Sequence, residues 1–315
     1  MVKRSTHNRL SEGSIPSQPT KLCECVTERR GSGLQIRIMQ VRVLSLTPIN
    51  NEWICMFNIK DLETEGYVVI KDFLPKDVVD KYVKLYDGIE DRKGKIITGN
   101  FEHDLNDKIQ SILKQVHEET GIKVDILIKK PSFFDNSVFE IDWHQDHEPY
   151  WLTQDSYNSL NFWIPIVKEN SKTSGLVLVP HSSLPDDVKK ITRGTGAKTF
   201  VREGNKTIIT DNSSGEVYET DFDLDSHSVT PEISAGDLIL MRVDVIHKSQ
   251  MPTEHRIAMS VRCYYSQSKL YRDKFFSGCE VKRDRIAKDQ LRYKPIVDSF
   301  KKTTNDYILV GNNLQ

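Results

Sequence analysis

Apolar residues change their spacing near Gly121. Ahead of it, Gly66-Tyr67-Val68-Val69-Ile70 reads as a short apolar strand that runs out at Asp72-Phe73-Leu74. Pro75 follows, where a first helical turn tolerates proline because its missing N–H would be unpaired anyway. Val78, Val79, Tyr82, Val83, Leu85 and Tyr86 then give one helix an apolar face. Leu105, Ile109, Ile112, Leu113 and Val116 predict a second helix, closed by Gly121 as a glycine closes a helix end. Beyond Gly121 the period falls to two. Strands are expected at Lys123–Ile128, Ser137–His144, Leu160–Val167, Gly175–Val179, Leu238–His247 and Arg256–Tyr265. Short strands parted by Gly, Pro, Asn and Asp suggest a β-sandwich or barrel, so the predicted class is mainly β with flanking α-helices. Residues 189–231 are polar with little core signal and are expected to form a surface hairpin or flexible cover. The tail after Lys269 is charged and weakly helical.

The first fifty residues fit neither period. Eight Lys/Arg stand there against three acidic residues, with much Ser, Thr, Pro and Gly. Such a stretch buries too little apolar surface to offset its ordering entropy. Residues 1–55 are therefore expected to be a disordered extension, and the globular domain is expected over 56–315 with its core at 61–268. An Arg- and Ser-rich leader leaves a targeting role open. Leu34–Leu46 alternates without a clean apolar side, so an edge strand there is also open.

The formal net charge of −1 implies no polyanionic partner, so nucleic acid is not expected. No run of eighteen apolar residues offers a membrane span. Five cysteines, an odd number at irregular spacings, suggest reduced thiols in the cytoplasm rather than a disulfide framework. Cys23-Glu24-Cys25 could be half of a metal site, but no second pair follows.

Asp142-Trp143-His144-Gln145-Asp146-His147 carries the candidate chemistry. On a strand, residues two apart share a face, so His144 and Asp146 would aim at one point and Gln145 away from it. An imidazole and a carboxylate supply two thirds of a facial triad. With a second histidine and open positions, that donor set suits non-haem iron(II). His247, at the end of a face bearing Ile239, Met241, Val243 and Val245, is the chosen third ligand, although an ordinary core histidine would look the same. Farther on, Arg256, Ala258, Ser260 and Arg262 share one face and Ile257, Met259, Val261 and Cys263 the other. A lone buried guanidinium is costly. A bound dicarboxylate would offset it through a bidentate pair, and so would a salt bridge to an acid such as Asp244.

These residues bring a family into view. From Gly66 to Tyr265 the chain resembles the phytanoyl-CoA dioxygenase family of iron/2-oxoglutarate oxygenases. The resemblance rests on the Gly66–Leu74 opening, His144-x-Asp146, Asn161-Phe162-Trp163-Ile164-Pro165, Gly175-Leu176-Val177-Leu178-Val179-Pro180-His181-Ser182, Gly236-Asp237, His247-x-Ser249 and Arg256-x-Ala258-x-Ser260. It implies a double-stranded β-helix, or jelly roll, with iron(II) held by His144, Asp146 and His247. It implies 2-oxoglutarate as cosubstrate beside O2, with Arg256 on its distal carboxylate, Ser249 supporting the same group, and Trp163 lining the pocket on the face it shares with Asn161. Trp163 as plain core packing stays open. Two departures stand out: the His247-to-Arg256 gap is short, and Pro180-His181-Ser182 replaces the more usual Pro-Gly-Ser-His, which leaves His181 without a transferable role. Lys129 and Lys130 are candidates for the upstream cosubstrate contact by proximity alone.

The resemblance further implies oxidation of an unactivated C–H bond of a small molecule, with release of succinate and CO2. A carboxylate at Asp146, where halogenating relatives carry a small residue, favours hydroxylation or desaturation. Rival readings are a cupin-like metal protein without 2-oxoglutarate, a non-catalytic binding module, and a JmjC-type hydroxylase, which more often uses lysine where Arg256 stands. Residues 192–229 are a candidate lid. Phe133, Phe134, Trp143, Tyr150 and Trp151 are candidate substrate-pocket aromatics. The substrate itself is not legible.

Overall fold

The computed structural model describes residues 47–49, 52–54, 58–90, 95–97, 103–127, 131–137 and 140–312. In chain order come β1 (Thr47–Ile49), β2 (Glu52–Ile54), α1 (Asp61–Thr64), β3 (Tyr67–Ile70), α2 (Lys76–Asp87), β4 (Lys95–Ile97) and α3 (His103–Thr120). Then follow β5 (Ile126–Leu127), β6 (Ser132–Asp135), α4 (His147–Thr153), β7 (Ser159–Val167), β8 (Leu176–Val179) and α5 (Asp186–Thr192). The second half holds β9 (Lys198–Glu203), β10 (Lys206–Asp211), β11 (Val217–Thr220), β12 (Leu238–Arg242), β13 (Ile246–Ser249), β14 (Ile257–Tyr264) and β15 (Lys269–Tyr271). It closes with α6 (Arg272–Phe276), α7 (Glu280–Lys288), α8 (Gln290–Lys301) and β16 (Tyr307–Leu309). The class is mainly β with helices, and among the described residues every strand pairing is antiparallel. Most of residues 1–55 lies outside the described residues, including Cys23, Cys25, Cys55 and Leu34–Leu46. At its end β1 pairs with β2, Thr47 opposite Ile54.

The larger sheet runs β3-β12-β7-β14-β6-β4, with β5 also on β14. Its two faces are both buried, which explains the unbroken apolar run along β7. Phe162, Ile164 and Ile166 join Ile257, Met259, Val261 and Cys263 in the core beneath α2 and α3. Asn161 and Trp163, with Ser260 opposite Trp163 across the ladder, turn to the other face. Here the parity read from the sequence holds. The helical stripes hold as well, with α2 starting just after Pro75; within its stripe Leu85 is 40% exposed and is not core. Gly236 shows why one glycine is required. It sits at φ +89°, and a Cβ there would lie 2.7 Å from the Leu74 carbonyl oxygen. The carboxylate of the adjacent Asp237 takes the Asp72 amide and the Lys71 ammonium, locking the β3 end to the β12 start.

The smaller sheet corrects two sequence expectations. Leu238–His247 is not one strand. β12 belongs to the larger sheet, the chain turns at 243–245, and β13 pairs with β8, His247 opposite Leu178. The apolar alternation continues through the turn because Val243 and Val245 are buried there too. Ser137–His144 is not a strand either: β6 lies earlier, Val138 and Phe139 lie outside the described residues, and 140–146 carries only the two isolated bridges of His144, to Thr199 and His247. Residues 189–231, expected as a surface hairpin or a flexible cover, take the hairpin form, a meander β11-β10-β9. Its Phe200, Ile209 and Leu224 pack with Val177, Val179 and Ile246, the residues of β8 and β13 that point away from the larger sheet.

The tail is also more than a charged appendage. Phe275, Ile286, Tyr293, Ile296 and Phe300 from α6, α7 and α8 form a further core with Trp151 and Leu152 of α4.

Candidate metal centre

His144 arrives between β9 and β13. Its backbone exchanges both hydrogen bonds with His247, at 2.9 Å in each direction, and it also bridges Thr199. The antiparallel bridge brings the two imidazoles to 4.2 Å between centroids. Asp146 follows at the N-cap of α4 and makes no capping bond to its own helix. The donor atoms of buried His144, Asp146 and His247 all lie within 4.8 Å of one another.

Both histidines are set for ligation. His144 Nδ1 lies 2.8 Å from the Asp142 carbonyl oxygen, and His247 Nδ1 lies 2.9 Å from that of Val245. A carbonyl only accepts, so each Nδ1 carries the proton and each Nε2 keeps its lone pair for a metal. Burial, reinforced by His247, lowers the His144 pKa to about 3 and keeps the ring neutral, as a ligand must be. On Asp146, Asn161 Nδ2 donates to Oδ2 at 3.2 Å and Arg262 Nη2 to Oδ1 at 3.3 Å. Ser260 Oγ in turn donates to Asn161 Oδ1 at 2.7 Å. Arg262 also reaches Glu148 at 3.4 Å. Burial opposes its charge, but Asp146 and Glu148 overcome that and hold it above the ordinary arginine value. Gln145 does aim away: its Nε2 donates to the carbonyls of Thr192 and Asp244 at 2.8 and 2.7 Å, clamping the ligand segment to the turn before His247.

Arg256 is 2% exposed, and its Cζ sits 5.5 Å from the Trp163 ring centroid. Nη1 donates to the carbonyls of Ser174 and Gly175 at 3.1 and 2.9 Å, while Nε is buried without a partner. Among the described residues no carboxylate forms an ion pair with it. Burial pushes its pKa down to about 10 despite the pull of Glu140 and Asp135. Asp244 is engaged elsewhere: Arg242 Nε and Nη2 both donate to it at 2.9 Å.

Two cavities meet at the cluster. The inner one, about 60 Å³, brings Asn161, Trp163, Ser249 and Arg256 together with the three ligands. The outer one, about 610 Å³, shares His144, Asp146 and Arg262 and is walled by Phe134, Trp143, Trp151 and Phe200. Of the candidate aromatics, Phe133 is instead fully buried in the core under the helices, and Tyr150 packs on Gly196. Lys129 and Lys130 lie outside the described residues. His181 stands apart from the cluster, buried 3.5 Å from Asp244. Arg262 was visible on the face of Arg256, but its role beside Asp146 was not, because α4 had no sequence signal strong enough to place Glu148. The α7 side of the outer cavity, Val281 and Arg285, had no signal at all.

The model of the phytanoyl-CoA dioxygenase (PhyH) family matches residues 95–255. No curated protein matches the chain. Similar solved structures include SnoK, a non-heme α-ketoglutarate-dependent carbocyclase from nogalamycin biosynthesis, at 15% identity over 66% of this chain and 83% of that one, with a TM-score of 0.44. Another is EctD from S. alaskensis with 2-oxoglutarate and 5-hydroxyectoine, at 15% identity over 70% of this chain and 79% of that one, with a TM-score of 0.45.

Proposed function

The chain belongs to the phytanoyl-CoA dioxygenase (PhyH) family, and on that premise we propose that it is an iron(II)- and 2-oxoglutarate-dependent oxygenase, with its two sheets forming a jelly-roll barrel. His144, Asp146 and His247 would hold the iron. Arg256 would take the distal carboxylate of 2-oxoglutarate, with Ser249 and Trp163 beside it. Asn161 lines the same cavity and also holds Asp146. The observation that carries this reading is Arg256: a buried guanidinium with an orphaned Nε, on the same small cavity as the His-Asp-His cluster. A carboxylate there would complete its hydrogen bonds and balance its charge.

Iron(II) and 2-oxoglutarate, when bound, supply O2-dependent oxidation of a C–H bond with release of succinate and CO2. The protein's own groups bind and orient. Nδ1–H on both histidines fixes the ligating nitrogens, and Asn161 and Arg262 fix the carboxylate. Trp163 and the apolar residues around Arg256 keep water from the guanidinium. A carboxylate at Asp146 fits hydroxylation of a small molecule better than halogenation. Full-length protein given iron(II), 2-oxoglutarate and O2 should release succinate slowly even without substrate, and His247→Ala should not. Succinate release that survives His247→Ala would remove His247 from the centre.

A further inference from the structure

The outer cavity has a chemical asymmetry. Phe134, Trp143, Trp151 and Phe200 give it an aromatic wall, and its volume of about 610 Å³ suits a small molecule. Each of its carboxylates has a hydrogen-bond partner within the protein. Asp146 and Glu148 share Arg262, and exposed Asp142 accepts a bond from the Trp143 amide. Arg285 differs. It is exposed on α7, lines the cavity, and makes no side-chain hydrogen bond or ion pair with any described residue. Val281, one turn earlier on α7, lines the same wall at 58% exposure. The helix is anchored: Cys279 Sγ donates to the Asn212 carbonyl at 2.8 Å, and Ile286 is buried behind it. Elsewhere on the helix Lys288 pairs with Asp284, Lys282 is buried on the Lys274 carbonyl and Arg283 donates to the Gly278 carbonyl, so Arg285 is the cation that α7 turns to the cavity.

We infer that the outer cavity binds a small molecule with an apolar, ring-sized body and one anionic group, the body against the aromatic wall and the anion on Arg285. The inference rests on reading this side of the metal centre as the substrate side. It deepens that reading by giving the substrate a charge and an orientation, with the anionic end at α7 and the apolar end towards His144 and Asp146.

The test uses full-length protein loaded with zinc and N-oxalylglycine, inert stand-ins that fill the inner site. Calorimetric titration compares 3-phenylpropionate, 3-phenylpropanol and 3-phenylpropylamine, equal in shape and different in charge. The carboxylate should bind about tenfold more tightly than the other two, the size expected for one charge-assisted bond at a partly exposed site. Arg285→Gln should abolish that preference and Arg285→Lys should keep part of it. Equal binding of all three, binding of none, or a preference that survives Arg285→Gln would overturn the inference. Iron and 2-oxoglutarate binding, measured separately, reports on the metal-centre reading. Loss of that binding with the carboxylate preference intact would sink the function proposed above and leave the anion site standing.

Discussion

Arg256 and Arg262 sit six residues apart on one face of one strand and do different work. Arg262 has its carboxylates, Asp146 and Glu148. Arg256 has two carbonyls and an orphaned nitrogen. The sequence alternation along β14 placed both side chains in the cavity, because strand period is independent of what lies opposite. It could not assign their partners, which come from the turn before β8, from α4 and from its N-cap. The physical consequence is a prediction: Arg256→Leu should raise the 2-oxoglutarate concentration for half-maximal succinate release about thirtyfold, since a lost charge-assisted pair costs about 2 kcal/mol. Iron affinity should stay near wild type. An unchanged 2-oxoglutarate requirement would transfer the role to another cation, with Arg262 first in line.

Elements here end where the sequence pattern does not. Only Arg242 and Asp244 interrupt the apolar pattern of Leu238–His247 at the turn over 243–245, which is as buried as the strands it joins. The turn is held by polar contacts: locally Asp244 with Arg242, and from afar the Gly194 amide donating to Asp244 at 2.9 Å and the Gln145 clamp. His144 likewise owes its place to two isolated bridges, to Thr199 and to His247, rather than to the strand expected around it. The expectation that His144 and Asp146 would converge was correct in outcome, but the cause is those bridges plus the start of α4. Gln145 is the residue that joins these two pieces. Gln145→Leu would leave two buried carbonyls without their donor, costing about 2–3 kcal/mol. The denaturation midpoint should drop, and zinc affinity should weaken with it. A variant with wild-type zinc affinity and a lowered midpoint would make Gln145 purely structural.

At the scale of the molecule, the central strands of the larger sheet were legible and their surroundings were not. The β7 and β14 runs alternate between two cores, so their parity survives in the sequence. Residues 192–229 and the tail contribute scattered anchors, such as Phe200, Leu224, Phe275 and Phe300, whose burial depends on partners more than a hundred residues away or on one another across loops. Buried histidines give the whole fold a pH dependence. Burial lowers His181 from 6.5 to about 4. Between those values the unfolded chain binds more protons than the folded one, so stability falls as pH drops from about 6.5 to about 4. Urea midpoints of the metal-free protein should decline across that window, and less steeply in His181→Gln. A flat or rising profile would mean that His181 is not held neutral.

The account turns on one cavity accepting both a metal and a dicarboxylate. Anaerobic titration of the full-length protein with iron(II) and then 2-oxoglutarate examines that directly, through the visible charge-transfer absorption of a cosubstrate chelated to iron. The band should grow in only when both are present, saturate at one equivalent of iron, and fail to form in Asp146→Ala. Iron binding without any band on adding 2-oxoglutarate would contradict the assignment of Arg256 and the inner cavity, and with it the oxygenase reading.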